Sequence, residues 1–280
     1  MRFTLARRLT ALTFLTLLVA GRYLPEPWVR GSATSVRWFD VLLLADPLAT
    51  LENFIAGGTA KPEVLIGAAL LVASSVLLLG RAFCGWICPL GLVLDISDGL
   101  RKRFQTWRRK RGKRPFPNWA APKSLKYYLL LLCLLLTFTS GLPIFQSISP
   151  INWVVWLAVF SADIGLTAAL IHALPLLLLM ASEWFSRRLW CRALCPLGAF
   201  YAIVGRFGLW KIQINPETAG QLACGKCTRN CSMGIAVMES FTMKNQRAIL
   251  DPECTRCGDC IQACPNDVLR QGTRSQQITC

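Results

Sequence analysis

The sequence predicts an α-helical polytopic membrane protein that carries a small, cysteine-rich α+β domain at its C-terminus. Of the 280 residues, 54% are apolar and only 16% are charged, and ten are tryptophans. This composition is typical of a chain solvated by lipid and not of a soluble globule. Long apolar runs come first, and the polar C-terminal part is crowded with cysteine.

Four apolar runs approach the length of about 20 residues that a transmembrane helix needs. They are residues 9–24, 63–79, 124–145 and 165–184. The first run follows the leader MRFTLARR and therefore also resembles a signal peptide. Leu18 does not fit the small residue expected three positions before a cleavage site, so we favour an uncleaved anchor.

Lysine and arginine predict the orientation, because they are held back on the cytoplasmic side of a membrane. Residues 101–114 include nine of them and no acidic residue, whereas residues 127–186 include none. We therefore expect a multi-pass membrane protein with both termini in the cytoplasm. The loops 22–62 and 146–164 would face outward, and their proline-interrupted apolar stretches would lie along the interface or pack as ordinary loops.

An internal duplication relates the two halves of this region. GRAFCGWICPLG follows the second run, and RRLWCRALCPLG follows the fourth. On a helix, residues four apart share a face, so each C-x₃-C-P motif is expected to present two sulfurs together at the cytoplasmic surface. Such thiols suit a third metal site or a docking motif, and cysteines that aid helix packing are the alternative. The four residues are Cys84, Cys88, Cys191 and Cys195.

The strongest motif is Cys254-x₂-Cys257-x₂-Cys260-x₃-Cys264-Pro265. In this bacterial ferredoxin spacing, three thiolates on a tight loop hold three corners of a four-iron cubane, and the fourth cysteine binds the other cluster of a two-cluster protein. Zinc motifs separate their cysteine pairs by a longer spacer, so the spacing favours a 4Fe-4S cluster over zinc. We therefore predict a two-cluster ferredoxin-like domain at 207–280, after a four-helix membrane domain at 1–206.

A partner run stands upstream, with Gln221 where the first cysteine would be and Ser232 in place of the proline. Crossed ligation then predicts one complete 4Fe-4S site and one site with three cysteines. The complete site consists of Cys231, Cys254, Cys257 and Cys260, and the second consists of Cys224, Cys227 and Cys264. The second could hold a three-iron cluster, a four-iron cluster with a non-thiolate ligand, or a cluster completed by Cys280.

The apolar region offers few groups for proton transfer. His172 is the only histidine, which excludes a bis-histidine haem within the chain, and no nucleotide-binding motif is present. His172, Asp46, Glu52 and Asp163 are candidate proton acceptors, with an interior histidine and exposed loop carboxylates as the alternatives. The basic residues cluster beside apolar runs, so we interpret them as topology signals and do not expect nucleic-acid binding.

The segments GRAFCGWICPLGLVLD and WCRALCPLGAFYAIVGR, together with the twin cysteine runs, resemble the NapH/MauN-type ferredoxin-like membrane proteins. That family is related to the membrane part of NosR-type proteins, and the resemblance covers nearly the whole chain. It implies a multi-pass protein of the bacterial inner membrane with four spans and two four-iron clusters on the tail cysteines, acting as a quinol dehydrogenase component. Gln221 departs from the family pattern.

Two functions follow as hypotheses. The first is a membrane-bound electron-transfer protein that passes electrons from the quinol pool to a periplasmic partner, such as a ferredoxin-type or cytochrome subunit. The alternative is an accessory or maturation factor for a periplasmic redox enzyme, for example an amine dehydrogenase, without quinol turnover of its own. A membrane-bound redox sensor is a weaker hypothesis, because the sequence contains no visible output domain.

Overall fold

The structure is a computed structural model, and it describes residues 2–23, 29–31, 35–38, 42–58, 62–114, 121–160, 166–215, 218–219, 224–266 and 268–273. These residues are mostly helical. The α-helices are α1 (Arg2–Tyr23), α2 (Pro47–Ile55), α3 (Pro62–Ser74), α4 (Ala82–Trp86), α5 (Pro89–Lys110), α6 (Leu125–Ser140), α7 (Ile144–Ile148), α8 (Pro150–Phe160), α9 (Leu166–Ser182), α10 (Pro196–Val204), α11 (Lys226–Asn230) and α12 (Asp259–Ala263). The strands are β1 (Val29–Gly31), β2 (Ser35–Trp38), β3 (Leu42–Ala45), β4 (Trp210–Ile214) and β5 (Leu269–Thr273). Three short segments are π-helical, namely Ser75–Leu79, Trp190–Leu194 and Met238–Thr242, and Gly205–Phe207 is a 3₁₀ turn.

One helix in the described part of the chain is long and apolar enough to cross a membrane, as judged by length and composition. It covers Phe3–Gly21, near the N-terminus. The shorter apolar helices are Pro62–Leu77, Leu125–Ser140, Pro150–Val159 and Ala169–Ser182. Apolar helices therefore occur where the four runs predict them, and four membrane crossings stay a prediction.

The segment 22–62, predicted to be an outer loop, contains structure that its hydropathy does not predict. Strands β1, β2 and β3 form an antiparallel sheet with β2 in the middle. The chain then breaks at Asp46, whose side chain accepts a hydrogen bond from the backbone N–H of Leu48 at 3.1 Å. Pro47 is the first residue of α2, a position that suits the fixed φ of proline. The Asp-Pro break is thus a capped helix start.

Contacts within the chain define two compact units. Unit 1 consists of Met1–Thr10, Ala73–Ile87 and Tyr201–Cys280, and unit 2 consists of Ala11–Val72 and Cys88–Phe200. Each unit is therefore assembled from chain segments that are distant in sequence. The cysteine-rich tail shares unit 1 with the N-terminus and with the segment that leads into the first C-x₃-C-P motif.

Unit 2 has an apolar exterior and several charged side chains in its interior. Phe138 on α6 is 72% exposed and Ile171 on α9 is 69% exposed. In contrast, Glu52, Lys126 and Glu183 are almost fully buried. Soluble proteins show the opposite preference, because they rarely bury lysine or glutamate fully and rarely expose large contiguous apolar patches.

Ion pairs connect α5 to the segment after α9 within unit 2. Arg187 donates from Nε and Nη2 to the two carboxylate oxygens of Asp98, both at 2.9 Å, in the bidentate geometry that suits guanidinium. Arg188 forms a buried salt bridge with Asp95. These pairs neutralise interior charge that would otherwise be costly to bury.

Unit 1 is built around the antiparallel pair of β4 and β5 and the contact between α11 and α12. The first residues of α1 pack against the same unit. Thr4 donates a hydrogen bond to the side chain of Gln262 at 3.0 Å, and Arg7 pairs with Asp259 at 3.5 Å. Residues from the two ends of the chain thus stabilise one compact body.

Candidate iron–sulfur sites

The two cysteine runs have the same local backbone. Gly225 precedes α11 with φ +62° and Gly258 precedes α12 with φ +77°, values that glycine adopts without strain. Each helix then ends at a cysteine in extended conformation, Cys231 at φ −61°, ψ 113° and Cys264 at φ −80°, ψ 120°. Pro265 favours the extended conformation of Cys264, and Ser232 permits the same conformation at Cys231.

Four cysteines line one recess of unit 1. They are Cys231, Cys254, Cys257 and Cys260, and about 310 Å³ of the recess is not filled by protein atoms. Apolar side chains, among them Ile212, Met233 and Val237, form the remaining wall. The residues predicted for the complete 4Fe-4S site therefore line one recess with largely apolar walls.

In the absence of a bound cation, this recess disfavours the ionised form of its cysteines. Burial, with a smaller contribution from the neighbouring thiolates of Cys257 and Cys231, raises the pKa of Cys254 to about 12. Burial also raises the pKa of Cys260 well above its ordinary value. Thiols gathered in this way ionise only when cations take up their negative charge, which iron ions do. The donor set and its environment therefore fit an iron–sulfur cluster.

A second recess is lined by Cys224, Cys227 and Cys264, which are the three cysteines of the incomplete site. Met238 lies beside them and accepts a hydrogen bond through Sδ from the backbone N–H of Gly225 at 3.2 Å. Cys224 is exposed, so this recess is more open than the first. The two residues on which its completion depends, Gln221 and Cys280, lie outside the described residues.

In the part of the chain that the structure describes, no three Cys, His, Asp or Glu side chains are gathered closely enough to hold a single metal ion. A cubane cluster needs a different arrangement of its protein ligands. Each thiolate binds its own iron corner, so the four sulfurs stand further apart than around one tetrahedral zinc ion. The absence of a single-ion site is therefore compatible with cluster binding in both recesses.

The C-x₃-C-P motifs differ from the prediction that each pair of cysteines shares one helix face. Cys84 lies in α4, which ends before Cys88, and Cys88 is extended with ψ 119° at the start of α5. Cys191 lies in a π-helical turn, and Cys195 is extended with ψ 109° before α10. The prediction is wrong because the proline after the second cysteine disfavours helical backbone at that cysteine. A third metal site or docking role for these residues stays a prediction.

Two of the candidate proton acceptors, Asp46 and Glu52, lie at the start of α2 and within it, in unit 2. Glu52 is completely buried, and its Oε1 accepts hydrogen bonds from the backbone N–H of Phe145 at 3.0 Å and from Thr137 Oγ1 at 3.4 Å. Burial raises the pKa of Glu52. Burial also raises the pKa of Asp46 to about 7, against the hydrogen bond from Leu48 and with a further contribution from the charge of Glu52.

The structure describes one of the other two candidates. The His172 ring stacks on the ring of Trp156, with centroids 5.3 Å apart and planes within 1°. Asp163 lies outside the described residues. Asp46 and Glu52 are therefore the better-defined site for accepting protons.

Sequence reasoning did not identify the contacts that hold the Cys254 loop. Arg81 forms a buried salt bridge with Glu253, and Trp86 donates from Nε1 to the carbonyl of Arg256 at 3.2 Å. Arg81 lies just before the first C-x₃-C-P motif, and Trp86 lies between its two cysteines. The available signal was the presence of charged residues between and beside the cysteines, in the string ECTRCGDC.

Comparison with protein families agrees with this geometry. A 4Fe-4S binding domain matches residues 61–112 and 167–215, and each stretch contains one C-x₃-C-P motif. A 4Fe-4S dicluster domain matches residues 222–269, which contain the tail cysteines. The protein is a ferredoxin-type 4Fe-4S electron-transfer protein.

Curated relatives define the class further. The chain is 32% identical to the methylamine utilization ferredoxin-type protein MauN of Methylorubrum extorquens over 98% of this chain and 90% of the relative. It is 30% identical to the ferredoxin-type protein NapH of Haemophilus influenzae, again over 98% and 90%. The putative electron transport protein YccM of Escherichia coli is 32% identical over 73% of this chain and 55% of the relative. The chain therefore belongs to the family of MauN and NapH ferredoxin-type proteins, which confirms the resemblance. No solved structure matches it.

Proposed function

We propose that the protein is a membrane-bound component of a quinol dehydrogenase, which takes electrons from quinol and delivers them through two iron–sulfur clusters to a periplasmic redox partner. The observation that carries the proposal is a pair of carboxylates with raised pKa values, the half-buried Asp46 and the fully buried Glu52, in an apolar helical unit of a ferredoxin-type protein. Quinol oxidation requires an acceptor for protons beside an acceptor for electrons, and this chain contains groups suited to both.

The distribution of polarity supports placement in lipid. The apolar side chains that unit 2 exposes would lie in contact with acyl chains, and its interior ion pairs would be shielded from them. Four spans with both termini in the cytoplasm account for the nine basic residues of 101–114 and for their absence from 127–186. The shorter apolar helices supply segments for the second to fourth spans.

The tail cysteines are the proposed ligands. Cys231, Cys254, Cys257 and Cys260 would hold a complete cluster, and Cys224, Cys227 and Cys264 would hold the second. When bound, such clusters supply one-electron carriers, which divide the two-electron oxidation of a quinol into single steps. Ile212 and Met233 keep water from the complete site.

The carboxylate pair is proposed to accept the quinol protons. A general base works best when its pKa lies near the operating pH, and burial brings the pKa of Asp46 to about 7. Glu52 Oε2 has no hydrogen-bond partner among the described residues, so it retains a lone pair for an incoming proton. The backbone N–H of Phe145 holds the other carboxylate oxygen in place.

The test is anaerobic mixing of the purified full-length protein with a reduced quinone analogue while cluster absorbance is followed. We expect the clusters to bleach, and Asp46→Asn and Glu52→Gln to slow bleaching by about 10²-fold or more at unchanged iron content. Glu63→Gln, at an exposed position in the first turn of α3, is the matched control. Bleaching no faster than in a Cys254→Ser variant that lacks the complete cluster would contradict quinol oxidation.

The second candidate is an accessory or maturation factor for a periplasmic redox enzyme. A relative whose name refers to methylamine utilization supports this reading. It predicts clusters that dithionite reduces but quinol does not, so the same mixing experiment separates the two candidates. It also predicts that Asp46→Asn leaves the reduction of the clusters by dithionite unchanged.

A further inference from the structure

Arg256 occupies an unusual position in the loop of the complete site. It lies between Cys254 and Cys257 with φ +55°, a left-handed conformation that residues other than glycine seldom adopt. Its side chain is buried, with 6% exposed. A charged residue is thus held at a strained backbone position within a cysteine motif, and the surroundings of its side chain account for this.

Three glycines surround the guanidinium of Arg256. A Cβ atom on Gly80 would lie 1.8 Å from Arg256 Nη1, and one on Gly208 would lie 3.0 Å from both Nη1 and Nη2. Arg256 Nη2 donates to the carbonyl of Gly205 at 3.4 Å. Because any larger residue at Gly80 would occupy the same space, this pocket is shaped for the guanidinium.

The pocket leaves the charge of Arg256 without a carboxylate. Among the described residues none forms a salt bridge with Arg256, and its Nη1 has no hydrogen-bond partner. The nearest carboxylate in sequence, Glu253, is engaged by Arg81. A guanidinium stays protonated in proteins, and burying it unpaired is strongly unfavourable. Cys254 lines the same recess as Arg256, together with Asp251. The thiolate charge of Cys254 acts on the guanidinium of Arg256.

We infer that Arg256 is the buried counter-charge of the cluster at the complete site and that it raises the reduction potential of that cluster. This inference rests on the ligand assignment in the proposed function. Four thiolates outweigh the positive charge of the iron–sulfur core, so the ligated cluster is anionic and gains a further negative charge on reduction. A fixed cation in a poorly solvated pocket therefore stabilises the reduced form more than the oxidised form.

The incomplete site has no equivalent buried charge in its own run. Arg229 is exposed, and its Nη2 donates to the carbonyl of Cys224 at 2.8 Å. Water screens an exposed charge, so its effect on a neighbouring cluster is weaker. We therefore expect Arg256 to change the reduction potential of the cluster at the complete site more than that of the cluster at the incomplete site.

The test is a redox titration of the full-length protein followed by paramagnetic resonance. Arg256→Gln removes the charge, Arg256→Lys retains it, and Arg270→Gln removes an exposed charge on β5 as the matched control. At the midpoint potential of the unaltered protein, we expect Arg256→Gln to raise the ratio of oxidised to reduced complete cluster about tenfold, which is about 59 mV for one electron. Arg256→Lys is expected to titrate close to the unaltered protein, and Arg270→Gln identically to it.

Iron and sulfide content separate the failure of this inference from the failure of the proposed site. A Cys231→Ala variant that keeps the iron of both clusters would overturn the ligand assignment, and the role of Arg256 with it. Full iron content with an unchanged midpoint in Arg256→Gln would overturn the inference alone, as would equal shifts in the Gln and Lys variants. If Arg256→Gln assembles no complete cluster, an unshifted cluster in Arg256→Lys supports the counter-charge, and a shifted or missing one overturns it.

Discussion

Arg81 and Glu253 form a salt bridge in which both side chains are almost fully buried, with 2% and 6% exposed. Arg81 Nη1 also lies 3.5 Å from the carbonyl of Glu253. Because Glu253 immediately precedes Cys254, this pair fixes the start of the loop at the complete site. Arg81, which lies three residues before the first C-x₃-C-P motif, therefore contacts the tail directly.

We expect Arg81→Met or Glu253→Gln to lower the free energy of unfolding by about 3–5 kcal/mol, because each leaves a buried charge without its partner. The double variant Arg81→Met/Glu253→Gln should lose less than the sum of the two. Reversible denaturation in mixed micelles measures these changes. Lys102→Met is the control, since the Lys102 side chain is 57% exposed and its pair with Asp98 contributes at most about 1 kcal/mol. Equal losses in Arg81→Met and Lys102→Met would contradict the assigned role.

Gly85→Ala should displace the loop of the complete site. A Cβ atom there would lie 2.6 Å from the carbonyl oxygen of Thr255, which belongs to the backbone and cannot move independently. We expect iron to be lost to a chelator faster than from the unaltered protein. Gly99→Ala in α5 meets no atom within 4 Å and should retain iron normally. Equal rates of iron loss from the two variants would show that the close approach at Gly85 does not support the loop.

Gln221→Cys should supply the missing thiolate of the second site. We expect the paramagnetic resonance signal of that cluster to change to the signal of an all-cysteine 4Fe-4S cluster, while the signal of the complete site is unchanged. Gln246→Cys adds a thiol outside the cysteine runs and should alter neither signal. A Cys280→Ser variant examined in parallel reports on completion by the terminal cysteine. An unchanged second signal in Gln221→Cys would show that position 221 does not face the cluster.

The raised pKa of Asp46 predicts a pH dependence of stability. Burial favours the protonated acid, so the folded state binds a proton that the unfolded state releases near the ordinary pKa of 3.8. Stability should therefore be highest below about pH 4 and should fall as the pH rises to about 7, by up to about 4 kcal/mol. Thermal unfolding against pH measures this, and Asp46→Asn, which still caps α2, should flatten the profile. A profile of equal slope in the variant would assign the dependence to another group.

The sequence predicts those parts of the fold that depend on length and periodicity. The apolar runs correspond to α1, α3, α6 and α9 because about 16 to 22 mostly apolar residues in succession leave few alternatives to a helix. The β1–β3 sheet was not predicted, because its strands are only three or four residues long and carry no alternating pattern across their turns. The spacing of four residues between Cys84 and Cys88 predicts one helix, but Pro89 disfavours helical backbone at Cys88 and separates the two cysteines.

The grouping of the tail cysteines was predictable, because crossed ligation follows from the spacing of the two runs. The recesses gather the two predicted sets of cysteines, although cluster binding by each set stays a prediction. The roles of Arg81 and Arg256 were not predictable. Nothing in a single sequence indicates that an arginine side chain enters a pocket formed by glycines more than 40 positions away.

The contacts of Thr4 and Arg7 with Gln262 and Asp259 join residues that are more than 250 positions apart in the chain. Strand β4 pairs with β5, which follows it by more than 50 residues. Unit 1 therefore cannot close until the segment up to β5 has been synthesised, and a cluster in the complete site can be enclosed only after that. A bulky tag fused in front of Phe3, which packs against Gly258, would interfere with that final closure.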